Sequence, residues 1–247
     1  MKNVLEYEEA LGIDFGQASI CLDACFILAF LDSNDFRGDA VGNLMAKWQA
    51  DGVEKIGIPY QVHSEVIHNL FKNNVIKALV AAKKFQLNQI KSRKIKYSLT
   101  EEERLFGGQK VTQDLLRFAP MQTITEIING RRASVPVSNI LKEYKKIFPK
   151  SRPSLTSIYK SALDKMNQFI STLTNDFGFK VEWLVLDQNI TDIAESYMTL
   201  FQLEIFDAMH LASSQYNYYH YFATLDRDFV HTLYDSEKLT LKIVNIA

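Results

Sequence analysis

Four acidic residues stand beside apolar segments of this 247-residue chain: Asp23 in SICLDACFILAFL, Glu65 in IPYQVHSEVIHNL, Asp207 in LEIFDAMHLASS and Asp226 in YFATLDRDF. Removing a carboxylate from water is costly unless a partner compensates its charge. Two carboxylates about 4 Å apart repel by about 4 kcal/mol at an effective dielectric near 20. If the four groups meet, a shared divalent cation is the simplest partner. An all-oxygen ligand set favours Mg²⁺ or Mn²⁺ over zinc.

The order of elements predicts where these groups lie. Apolar patterns predict short strands at 19–22, 56–58, 180–186, 219–223 and 241–246. Helices are predicted between them, including 38–49, a long helix after 59, 154–177 with Ser154 as its N-cap, and 191–200 with Asn189 as its N-cap. Strands that alternate with helices indicate a mostly parallel sheet covered on both faces, which is a three-layer α/β/α fold.

In such a fold, sites form beyond the carboxyl ends of the strands. Asp23 and Asp226 follow predicted strands, whereas Glu65 and Asp207 are predicted in the first turns of helices. Helix starts favour anions because their N–H groups are unpaired and the macrodipole is positive there. The sequence therefore predicts that the four carboxylates converge at one edge of the sheet.

The middle of the chain is strongly basic. Residues 81–160 hold 17 Lys and Arg against 6 Asp and Glu, a net charge of +11, while the remainder holds 11 against 23. Prolines and glycines break this region into short, mainly helical pieces. The length and composition of the chain fit either one domain with an insertion or two small domains. This region is either a solvated set of helices or a nucleic-acid contact, with Arg131 and Arg132 as candidates. Contact with phosphates predicts binding that weakens steeply with salt.

The acidic segments resemble those of PIN domains, metal-dependent nucleases that include the toxin halves of many bacterial toxin–antitoxin pairs. The likeness rests on LDACFIL, SEVIHNL, FDAMHLASS and ATLDRDF in that order, and it covers roughly residues 18–80 and 180–247. It implies a PIN-like fold and an endonuclease that acts most often on RNA with water as the nucleophile. The connection between the second and third segments is much longer than in compact members of the family. The resemblance therefore implies that residues 83–152 are a basic, mainly helical insertion within a single domain spanning 1–247.

The resemblance also implies site residues. One or two Mg²⁺ or Mn²⁺ ions would be held by Asp23, Glu65, Asp207 and Asp226. Thr224 matches a family hydroxyl position and would orient a ligand or water, and Asp228 would assist the site or simply cap a turn.

Several other residues have open interpretations. His210, one turn after Asp207, either packs in the core or reaches the edge of the site. His63 and His68 lack the four-residue spacing of zinc-binding helices, so we expect solvent-facing or hydrogen-bonded side chains. Cys21 and Cys25 are expected to be reduced packing residues. The tyrosines could stack bases, pack, or form an oligomer interface; they are Tyr216, Tyr218, Tyr219 and Tyr221.

Three functional hypotheses follow. The first is a Mg²⁺- or Mn²⁺-dependent endonuclease, and it predicts that Asp23→Asn and Asp207→Asn abolish cleavage yet leave the fold intact or more stable by relieving repulsion. The second is an inactive PIN-like module that binds RNA or a protein. The third is a toxin-type ribonuclease inhibited by a cognate antitoxin. The apolar run at 20–31 is too short to span a bilayer and the N-terminus lacks a secretory pattern, so the cytoplasm is the expected compartment.

Overall fold

The computed structural model describes residues 2–33, 35–90, 96–131 and 133–246, and in this part of the chain six strands form one all-parallel sheet. The strands are β1 Val4–Glu6, β2 Ser19–Leu22, β3 Lys55–Pro59, β4 Lys180–Leu184, β5 Tyr221–Thr224 and β6 Lys242–Asn245. Their spatial order is β1-β6-β5-β2-β3-β4. Because all strands run in the same direction, their carboxyl ends share one edge of the sheet.

Eleven helices connect the strands within the described residues. They are α1 Tyr7–Gly12, α2 Ala24–Leu31, α3 Gly38–Asp51, α4 Tyr60–Gln89, α5 Glu101–Gly108, α6 Lys110–Leu116, α7 Met121–Ile128, α8 Val137–Ile147, α9 Thr156–Ser171, α10 Gln188–Phe201 and α11 Ile205–Tyr216. None of the helices described is both long and apolar enough to cross a membrane.

Helices cover both faces of the sheet, which makes the three-layer α/β/α arrangement that the sequence predicts. On one face, α10 and α11 pack in a single apolar cluster with Cys21 and Phe222. The neighbouring Tyr221 points to the opposite face, since side chains alternate along a strand. There the ring of Phe15 contacts both Tyr221 and Trp48 of α3. β2 is buried along its whole length, as expected for a central parallel strand.

The strand order places a topological switch point between β2 and β5. The chain leaves β2 for β3 on one side, and it later returns from β4 to β5 on the other side. Connections that diverge in this way leave a crevice beyond the carboxyl ends of the two strands. Asp23 directly follows β2, and Asp226 comes two residues after β5. The sequence prediction of two acids at this edge is therefore met by the fold.

The chain divides into two compact units. The first comprises Met1–Ile67 and Lys165–Ala247 and contains the whole sheet; the second is His68–Asp164 and is helical. The boundaries fall within α4 and α9, and the predicted insertion at 83–152 lies inside the second unit. The second unit has its own apolar core, which includes Leu79, Ala82, Leu115, Leu116, Ile124, Ile140, Tyr144 and Ile158.

Several local predictions need correction. β1 and α1 were not predicted because three strand residues and one and a half helical turns leave little periodicity. Ser154 lies inside a 3₁₀ segment, Pro149–Leu155, so it does not cap α9. The N-cap of α10 is Asp187, whose carboxylate accepts from the Ile190 N–H, and not Asn189. Asp187 and Asn189 are both residue types that favour N-cap positions, and the sequence alone did not show which of them precedes the first turn of α10.

Candidate functional site

Asp23 is the most constrained carboxylate of the site. It is buried as the N-cap of α2, and its Oδ1 accepts from the Ala24 N–H at 2.7 Å. Its Oδ2 accepts from the Cys25 thiol at 2.8 Å and from the Thr224 hydroxyl at 2.7 Å. His210 Nδ1 contacts Oδ1 at 3.1 Å. Four donors satisfy about all the acceptor positions that one carboxylate has.

His210 is the buried partner of Asp23 that the sequence did not reveal. It lies on α11 with a side chain only 1% exposed, and its Nδ1 must carry a proton because an ionised carboxylate only accepts. Burial opposes protonation, but the hydrogen bond and charge of Asp23, and then the charges of Glu65 and Asp207, raise the His210 pKa. Burial likewise opposes ionisation of Asp23, whose pKa is nevertheless lowered by His210, Cys25 and Thr224.

The second ring nitrogen of His210 has no hydrogen-bond partner among the described residues, although it is buried. Its nearest acidic atom is Glu65 Oε2 at 3.9 Å. A buried polar atom without a partner is uncommon in folded proteins and calls for an explanation. Here it faces the edge of a carboxylate cluster.

Glu65 and Asp207 are carboxylates whose ionisation is disfavoured. Burial, followed by the negative charge of Asp23, raises the pKa of Asp207 to about 6. Burial also raises the pKa of Glu65, with further contributions from Asp23 and Asp226. The distances agree with these influences: His210 ring nitrogens lie 3.1 Å from Asp23 and 3.9 Å from Glu65, and an oxygen of Asp207 lies within 4.8 Å of one of Asp226. Glu65 lies in the second turn of α4 rather than the first, and its side chain is 43% exposed.

Asp226 and Asp228 are held by the turn that follows β5. The Asp226 N–H donates to Thr224 Oγ1 at 3.0 Å, and Asp226 Oδ1 accepts from the Asp228 N–H at 2.9 Å. Asn245 Nδ2 donates to the Asp226 carbonyl at 2.8 Å. Thr224 thus joins Asp23 to the Asp226 turn, and its predicted role of orienting a ligand or water stays a prediction.

Three carboxylates have the geometry of a cation site. Asp207, Asp226 and Asp228 each offer an oxygen, and these oxygens lie within 4.8 Å of one another. Oxygens around Mg²⁺ are at most about 4.2 Å apart and neighbouring ones about 3 Å, since Mg–O distances are 2.0–2.1 Å. The three side chains would have to draw closer to hold such an ion, and their donors are all oxygens, the kind of ligand that a hard divalent cation takes. Asp228, predicted as an assistant or a turn cap, belongs to this trio.

The contacts of Asp23 reverse one expectation. Relief of repulsion predicted that Asp23→Asn would leave the fold intact or more stable. Asp23 instead forms a buried pair with His210 and accepts from three further donors. Removing one member of such a pair leaves an uncompensated group and is destabilising.

The other candidate residues have the following positions. Arg131 is exposed in the second unit, and Arg132 lies outside the described residues. His63 is partly exposed and packs edge-on against Trp183, and burial lowers its pKa. Tyr219 is buried, while Tyr218 is almost fully exposed, so the four tyrosines do not act as one set.

Comparisons of the chain with models of protein families, with curated proteins and with solved structures found no match.

Proposed function

We propose that this chain is a divalent-metal-dependent endonuclease that hydrolyses phosphodiester bonds, with RNA as its substrate. One observation carries the proposal: Asp207, Asp226 and Asp228 offer oxygens within 4.8 Å of one another, and burial, followed by the charge of Asp23, raises the pKa of Asp207 to about 6. Such mutual repulsion is unfavourable without a cation, and perturbed carboxylates in a crevice are typical of functional sites. The likeness of the four segments to PIN domains supports the same conclusion.

The residues have distinct proposed roles. Asp207, Asp226 and Asp228 would hold Mg²⁺ or Mn²⁺, which when bound activates water and stabilises charge on the phosphate. Glu65, half exposed and with a raised pKa, is suited to accept the proton of the attacking water. Through its hydrogen bonds, Asp23 positions His210 and, by way of Thr224, the Asp226 turn. Its carboxylate could bind the ion directly only if one of these four hydrogen bonds were broken. Thr224 and Cys25 fix the Asp23 carboxylate.

A polyanionic substrate is supported by the second unit. Its sequence holds 19 Lys and Arg against 7 Asp and Glu. α8 buries Val137, Ile140, Leu141 and Tyr144 on one face, which leaves lysines on the other. Lys142 and Lys146 are exposed on α8, and Lys150 and Arg152 are exposed in the 3₁₀ segment Pro149–Leu155 that follows it. Neutralising phosphates with such residues releases counterions, so binding should weaken as salt rises. The cytoplasm, where RNA is abundant, is the proposed location.

The direct test is cleavage of a panel of labelled RNA and single-stranded DNA with Mn²⁺, with Mg²⁺ and with EDTA. We expect RNA cleavage in Mn²⁺ that EDTA stops. Replacing Glu65 with Gln removes the proton acceptor while keeping the shape of the side chain, so its rate should fall by about 10²-fold or more.

The matched control is Glu195→Gln, which neutralises an exposed acid on α10 of the same unit and should cleave like the unmodified protein. Cleavage that resists EDTA, cleavage by Glu65→Gln at the full rate, or no cleavage of any substrate in either metal would contradict the proposal.

A further inference from the structure

Three aromatic side chains form an ordered cluster on the surface of the first unit. The rings of Tyr60 and Trp183 are stacked, with centroids 5.6 Å apart and planes 20° from parallel. The ring of His63 meets Trp183 edge-on at 5.0 Å. We call Tyr60, His63 and Trp183 the aromatic platform.

Two of the three rings, those of Tyr60 and Trp183, are exposed although they are largely apolar. Tyr60 is 48% exposed and Trp183 is 37% exposed, whereas the other tryptophan, Trp48, is fully buried in the core. Trp183 lies on β4, an edge strand of the sheet, opposite Ile58. The two stacked rings expose a flat apolar surface to solvent. Clusters of exposed apolar groups mark interaction sites.

The platform lies at the same edge of the sheet as the carboxylates. Tyr60 is the first residue after β3, and Trp183 is the penultimate residue of β4. Tyr60 and Glu65 both belong to α4, five residues apart, which is about 7.5 Å along the helix axis at 1.5 Å per residue. At about 100° per residue the two side chains leave the helix about 140° apart, so the distance between them across the surface is larger than this rise.

We propose that the aromatic platform binds an unpaired nucleobase of a single-stranded nucleic acid whose phosphate lies at the carboxylates. This inference rests on the proposed function and adds that the substrate must be single-stranded at this position. Every base has a π-face that can extend an aromatic stack, whereas a base inside a duplex is already stacked on both faces.

The charge around the platform favours a base over a phosphate. The first unit holds 9 Lys and Arg against 22 Asp and Glu, so its surface repels phosphates except where a cation neutralises the carboxylates. Stacking of a base on a ring does not require a positive charge, so it can hold a strand on this acidic surface. The parallel rings also suit a planar ligand better than an aliphatic side chain of a protein partner.

Tryptophan fluorescence reports this contact directly. The chain has two tryptophans, and Trp48 is buried, so quenching by an added oligonucleotide reports Trp183. We expect a single-stranded oligouridine to quench the fluorescence of Glu65→Gln in Mg²⁺, and a duplex of equal length to do so much less. Mg²⁺ can neutralise the carboxylates while the variant slows cleavage, so binding is measured whether or not the chain is an enzyme.

The affinity of the protein for a fluorescein-labelled form of this oligouridine can be measured by fluorescence anisotropy. It should fall about tenfold or more in Trp183→Ala and in Tyr60→Ala, as expected for the loss of one base stack. Trp183→Phe should recover much of the affinity because it restores a ring. The matched control is Tyr218→Asn, which removes an exposed ring before β5, at the opposite edge, and suits the left-handed φ of 58° found there.

Two outcomes would overturn the inference while leaving the proposed function intact: metal-dependent cleavage with unchanged affinity in Trp183→Ala, or anisotropy binding without quenching. A change in oligomeric state by Trp183→Ala with unaltered oligonucleotide affinity would assign the platform to a protein interface and also overturn it. Quenching by single strands in a chain that cleaves nothing would support the platform and contradict the nuclease.

Discussion

Replacing Asp207 with Asn is expected to stabilise the metal-free protein at pH 7.5 while abolishing metal-dependent cleavage. The Asp207 pKa is raised from 3.8 to about 6, first by burial and then by the charge of Asp23. A shift of this size corresponds to about 3 kcal/mol, which solvent screening at a half-buried group reduces to about 1–2 kcal/mol. The melting temperature should therefore rise by about 3–6 °C in a chain of this length.

The pH dependence fixes the sign of this effect. Below about pH 4 the carboxyl is protonated in both folded and unfolded chains, so ionisation does not distinguish Asp207 from Asn. As pH rises from 4 towards 6, the unfolded chain releases its proton first, and the folded protein loses stability relative to the variant. The difference in melting temperature should grow through this window and level off above it.

The control is Asp164→Asn, an exposed acid on α9, which should shift the melting temperature little at any pH. A variant Asp207→Asn that melts below the unmodified protein at pH 7.5 in EDTA would show that this carboxylate is stabilised by its surroundings, and it would contradict the predicted repulsion.

Replacing Asp23 with Asn should have the opposite effect on stability. An amide has one accepting oxygen and one donating NH₂ group. Whichever way it is turned, its NH₂ faces two donors, either Cys25 and Thr224 or the Ala24 N–H and His210. His210 also loses its charged partner. Breaking a buried pair of this kind costs about 3 kcal/mol or more, so the melting temperature should fall by about 6–12 °C.

A double-mutant cycle with His210→Ala separates the pair from its surroundings. Each single variant is expected to be destabilised, and the double variant should lose about 1–3 kcal/mol less than the sum of the two losses. Equal melting temperatures for Asp23→Asn and the unmodified protein, or additive losses in the cycle, would contradict the pairing of Asp23 with His210.

The sequence predicted the positions of Asp23 and Asp226 because topology alone determines them. Both follow strands, and parallel strands bring their carboxyl ends to one edge whatever lies between them. β2 and α3 were likewise predicted nearly to the residue. The short apolar run SICL is typical of a buried strand, and the spacing of Val41, Leu44, Met45 and Trp48 is typical of one face of a helix.

His210 could not be assigned in the same way. Its position three residues after Asp207 puts it on nearly the same face of α11, but the sequence does not say that Asp23, 187 positions away, caps α2 beneath it. The D-A-M-H spacing was the only signal in this segment. The platform was missed for a similar reason, because Trp183 meets Tyr60 only through the pairing of β3 with β4.

The most direct test of the central claim, a divalent cation site made by the converging carboxylates, is the melting temperature during Mn²⁺ titration. Binding at 100 times the Kd contributes about 2.7 kcal/mol, so the unmodified protein should melt about 5–11 °C higher. Asp226→Asn should lose this rise, whereas Asp164→Asn should keep it. No rise at millimolar Mn²⁺, or an equal rise in Asp226→Asn, would contradict the claim.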